Sequence, residues 1–77
     1  MTSLPHQFIP ILKITMLSNE INKQFLYELC SQYGNISRFK SLPTQPNIIY
    51  VAYQTVEQMK FAFQELQQNQ LLLISKP

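Results

Sequence analysis

The sequence predicts an α+β fold of order β-α-β-β-α-β, in which a four-stranded antiparallel sheet carries two helices on one of its faces. Three observations carry the prediction. Short segments alternate apolar with polar residues, two longer segments repeat apolar residues at three-four spacing, and capping or turn residues fall between them. Seventy-seven residues suffice for one domain, and with 45% hydrophobic and 13% charged residues the chain has the composition of a globular unit.

"MTSLPHQFIP", residues 1–10, carries two prolines and reads as an extended arm leading into a single domain over residues 11–77. In "ILKITML", Leu12, Ile14 and Met16 alternate with Lys13 and Thr15, the pattern of a half-buried strand. Ser18 and Asn19 are N-cap candidates, with Glu20 favouring a helix start. The stripe Ile21, Phe25, Leu26, Leu29 and Tyr33 then defines a first helix. Gly34, the only glycine, follows Tyr33 and fits a left-handed cap position.

"NISRFKSL" is read as a second strand with Ile36 and Phe39 inward, and "PTQPN" as the connection to a third. In "IIYVAY", Ile49, Val51 and Tyr53 share one face, while Ile48, Tyr50 and Ala52 share the other. "TVEQ" has the form of a capping box opening a second helix, whose stripe is Val56, Met59, Ala62, Phe63 and Leu66. "LLLIS" closes the pattern as a last, poorly alternating strand. With both stripes on one sheet face, Tyr50 stands on the uncovered one.

These residues argue against catalysis. The chain has no Asp, its four glutamates fall on or beside the helical segments, and one glycine cannot build a phosphate-cradling loop. A single cysteine, Cys30, excludes an internal disulfide and a multi-cysteine metal site, so no cofactor is expected and a nuclear or cytoplasmic setting is. No apolar run reaches the length of a membrane span, and the first ten residues lack the basic flank and apolar core of a signal peptide. Tyr53 and Tyr33 read as core aromatics; Tyr27 and Phe61 fall off their stripes. His6 lies alone in the arm.

The chain resembles the RNA recognition motif (RRM) family, a ferredoxin-like fold, over residues 11–77. "LKITML" lies at the family's first-strand motif, "FLYELCSQYGNI" looks like its first helix and following turn, and "PNIIYVAY" occupies its third-strand octamer. The first-helix string also resembles the RRM-like domain of the COMPASS histone lysine methyltransferases. "QYGNI" followed by "VAYQT" is similar to an RRM-like domain of nucleoporins that dimerise through the sheet face.

The resemblance implies binding of single-stranded RNA by stacking bases on sheet aromatics. Its platform positions fall on Lys13, Ile48 and Tyr50, so only Tyr50 keeps a ring, and the basic-glycine opening of the octamer is Pro46-Asn47. The expectation is a module with weak or context-dependent RNA affinity, centred on Tyr50, with Ile48 beside it, and flanked by the phosphate-binding candidates Lys13, Arg38, Lys40 and Lys76. The alternative is a protein contact, including a homodimer, on the same face; Ile48 favours that reading and the cations favour RNA.

Overall fold

The computed structural model describes residues 10–76. Its elements run β1 (Ile11–Met16), α1 (Lys23–Ser31), β2 (Ile36–Leu42), β3 (Gln45–Tyr53), α2 (Val56–Leu66) and β4 (Leu72–Ser75), in the order expected. The four strands form one antiparallel sheet in the spatial order β2-β3-β1-β4. The expected arm lies outside the described residues except for Pro10, whose carbonyl accepts the Tyr53 N–H at 2.9 Å.

Alternation decides which face is covered. Leu12 and Ile14 of β1, Ile49, Val51 and Tyr53 of β3, and Leu72 and Ile74 of β4 point under the helices and are buried. Leu26 and Cys30 of α1 and Met59, Ala62 and Leu66 of α2 close over them. One polar link crosses this core: the Tyr53 hydroxyl donates to the Cys30 carbonyl at 2.7 Å, tying β3 to the last turn of α1. Burial pushes the Cys30 thiol from 9.0 up to about 11, partly offset by the neighbouring Tyr53 hydroxyl. Burial, reinforced by Cys30 and then Tyr33, raises the Tyr53 phenol as well. A thiol held neutral in this way packs as a small apolar group.

Several local expectations are corrected. The first helix is capped by Asn22, whose side chain accepts the Phe25 N–H at 2.8 Å, whereas Ser18 accepts from Glu20 in the preceding turn. Ile21 then sits just before the cap and is buried with Leu26, a hydrophobic staple. The buried stripe centres on Leu26 and Cys30, which turns Phe25 outward to 49% exposure.

Gly34 is not in the left-handed region, since no described residue has a positive φ of that kind. Its role is close approach: a Cβ there would stand 2.7 Å from Cβ of Gln58 in the first turn of α2. Gln58 also departs from the capping box. Thr55 caps α2 by accepting the Gln58 N–H at 3.1 Å, but the Gln58 side chain accepts from the Asn35 N–H at 3.2 Å and pins the α1–β2 turn to α2.

The β2–β3 connection is shorter than expected. β3 begins at Gln45, and only Pro43 and Thr44 form the turn. A regular two-residue hairpin needs positive φ, which neither residue adopts, and the register shift between Ser41 and Leu42 takes up the difference. A second shift, between Ile36 and Arg38, lets residues three apart share a face: Ile36 lies opposite Tyr53 and Phe39 opposite Val51, both packed against the core. The Ser37 hydroxyl at this bulge donates to the Ala52 carbonyl at 3.2 Å.

Candidate nucleic-acid interface

The face of the sheet away from the helices carries the predicted residues in rows set by register. Tyr50 lies opposite Lys13 of β1 on one side and opposite Lys40 of β2 on the other, and Ser75 of β4 completes that row beyond Lys13. One row toward the start of β1 stand Arg38, Ala52 and Ile11. One row the other way, Ile48 lies opposite Thr15, which lies opposite Leu73. Directly opposed side chains on one face have Cβ atoms about 5 Å apart, so the members of each row are immediate neighbours.

Tyr50, Ile48 and Lys13 are half-buried, whereas Lys40 and Arg38 are exposed. The side of Arg38, open in the sequence, is settled by its register: it shares the face of Tyr50 and Lys40. Together with Ile11, Leu42 and Ala52 these three residues line a groove of about 360 Å³. No strand contains a carboxylate; Glu28 lies in α1, Glu57 and Glu65 in α2, and Glu20 in the turn before α1. The sheet face therefore presents three cations with no acidic group among its strands.

Lys76 is not brought to this group. Its ammonium lies 5.1 Å from the centroid of the Phe63 ring of α2, on the helical side, a cation–π contact. The cause is parity, because Leu72 and Ile74 face the helices and the next residue in phase is Lys76. On that same side Tyr27 packs edge-on against Phe39 at 5.1 Å, and Phe61 against Tyr33 at 5.7 Å. The expected off-stripe aromatics thus shield core rings while remaining about half exposed. Sequence reasoning missed Leu42 and Ile11 as groove residues; the alternation of Leu42 with Lys40 and Arg38 was the available signal.

A profile of the RNA recognition motif family matches residues 12–72. The chain belongs to the RRM family. Solved structures share the fold. The N-terminal RNA-binding domain of a hypothetical protein is 23% identical with a TM-score of 0.72, covering 90% of this chain and 79% of its own. The RRM of Rna15 with bound GU RNA is 14% identical with a TM-score of 0.72, covering 90% of this chain and 83% of its own. The NONO-1 homodimer of C. elegans is 13% identical with a TM-score of 0.66, covering 86% of this chain and 32% of its own. No curated protein matches the sequence.

Within the RRM frame, the register places Lys13 and Tyr50 side by side, where the family presents two stacking rings. This RRM offers one ring and one cation there, and an aliphatic group, Ile48, at the third position. Among the described residues no helix is long and apolar enough to cross a membrane.

Proposed function

We propose that this RRM domain binds single-stranded RNA on its open sheet face, weakly when isolated, with one base stacked on Tyr50 and phosphates met by Lys13, Lys40 and Arg38. The observation that carries the reading is the row Lys40, Tyr50, Lys13, a half-buried ring between two cations on a face whose strands bear no carboxylate. A ring provides a sequence-tolerant stacking surface, and flanking cations serve the phosphates on either side of the stacked base. As is general in the family, the domain acts by binding rather than by chemistry, at work where RNA is found, in the nucleus or cytoplasm.

The weakness follows from magnitude. Each stacked base contributes about 1–3 kcal/mol, so replacing two rings by Lys13 and Ile48 removes roughly 2–6 kcal/mol. At about 1.4 kcal/mol per tenfold, that is one to four decades of affinity.

A second reading has its own support. Leu73 is 58% exposed near Ile48, and with Ile11 and Leu42 it gives the face apolar groups that suit a protein contact, including a homodimer. An amide-shift titration of the domain with a short mixed-sequence RNA separates the two. Shifts at Lys13, Ile48, Tyr50 and Ala52 that vanish in Tyr50→Ala support RNA. The same amides responding only to protein concentration support the contact between copies and refute the RNA reading.

A further inference from the structure

We infer that the groove over Ala52 takes a second nucleotide, and that Arg38 selects guanine in it. The inference rests on the RNA-binding reading above and assigns the direction in which the strand leaves Tyr50.

The argument begins with side-chain size. Register sets Ala52 between Arg38 and Ile11, so a methyl group stands between two longer side chains and the face is concave there. The resulting groove, about 360 Å³, has the Tyr50 ring, Ile11 and Leu42 among its walls and Arg38 and Lys40 as its cations. It lies one row from Tyr50, about 7 Å along the strand. A base leaving the Tyr50 stack toward β1 meets Lys13, whose ammonium head offers no ring. A base leaving straight across to β2 meets Lys40 in the same way, whereas one moving along β3 toward Ala52 enters an apolar floor with Arg38 and Lys40 beside it. The concavity therefore draws the strand from Tyr50 along β3 toward Ala52.

Guanine is the base that fits the donors. The guanidinium is a rigid planar fork, and guanine presents O6 and N7 as two adjacent acceptors that accept from it together. Adenine places a donor amine where O6 would be, and uracil, the comparison base, has a donor N3–H between its two carbonyls. No carboxylate on the strands competes for the fork, and Arg38 is exposed at the groove. Lys40 is a point charge on a flexible stem and suits the phosphate instead.

The test uses the full chain and two labelled oligomers, a uridine hexamer and the same hexamer with one central guanosine, read by fluorescence anisotropy and by the Tyr50 and Ala52 amide shifts. The expected result is binding of the guanosine oligomer about five- to 150-fold tighter than the uridine oligomer. Arg38→Lys, which keeps the charge and removes the fork, abolishes the preference, so that the two oligomers bind it alike. Ala52→Leu, which fills the groove, also abolishes it. Equal binding of the two oligomers, with Tyr50 responding to both, overturns the guanine site and leaves the RNA reading standing. Preference retained in Arg38→Lys overturns the role of Arg38. If neither oligomer moves the Tyr50 amide, the RNA reading and this inference fall together.

Discussion

Lys13→Phe should turn this domain into a stronger RNA binder. The site already lies on the open face, half-buried and directly opposite Tyr50, so a ring placed there stands about 5 Å away at the Cβ atoms. One additional stacked base is worth about 1–3 kcal/mol, or roughly five- to 150-fold in affinity. Against that stands the loss of one cation. For a single strand one phosphate contact contributes about 0.7 to the slope of log affinity against log salt, so referred to 1 M salt it is worth roughly eightfold at 50 mM and about threefold at 200 mM. At 200 mM the whole range of the gain exceeds the loss, and the margin widens with salt. Fluorescence anisotropy with a labelled uridine hexamer at both salt concentrations measures it, with thermal unfolding as a check that the fold is intact. A folded variant that binds more weakly than the parent at 200 mM would refute the stacking argument, since charge would then outweigh the restored ring.

Two stability predictions accompany it. Gly34→Ala should cost about 1–3 kcal/mol in urea unfolding, because the new methyl meets Cβ of Gln58, which the α2 backbone holds in place. Gly34→Asn should cost no less, whereas tolerance of Asn would restore the left-handed cap interpretation. Alkaline pH should weaken the fold through Cys30: with a folded value of about 11 against 9.0, the native chain keeps a proton that the unfolded chain has released. Stability is then full below pH 9 and falls by about 1.4 kcal/mol per unit as pH rises toward 11, with Tyr53 adding in the same direction. Urea midpoints at pH 8 and 10.5 test this, and a parent profile no steeper than that of Cys30→Ala would contradict it.

The strands were legible where one period governed them. Alternation in "ILKITM" and "IIYVAY" identified the buried and open faces, and so located Tyr50 before any contact was known. β2 was harder, because Ile36 and Phe39 are three apart and only the shift at Ser37 brings both to one face. In α1 the stripe was broad enough to include Phe25, and the position of the cap decided against it. Gly34 and Gln58 lie far apart in sequence, and their contact follows from packing that no local pattern carries. For the site, the parity of each strand was readable, but the groove depends on which residues of β1, β2 and β3 stand opposite Ala52. That is a property of register, written in no single segment. Lys76 illustrates the converse: once β4 starts at Leu72, parity alone sends it to the helical side.

The placement of the glutamates bears on how the domain meets a polyanion. A formal charge of +2 is small for the whole chain. Yet Lys13, Arg38 and Lys40 stand on the sheet, while every carboxylate side chain belongs to the helices or the turn before α1. Lys23, Lys60 and Lys76 stand with the glutamates and offset part of their charge, yet the described residues still form an electric dipole whose positive end is the open sheet face. In the field of an RNA strand it experiences a torque, which turns that face inward during diffusion and raises the share of encounters that arrive correctly oriented. Moving one glutamate onto β2 would leave the overall charge nearly unchanged and still slow association, because it is the orientation, not the total, that the strand senses.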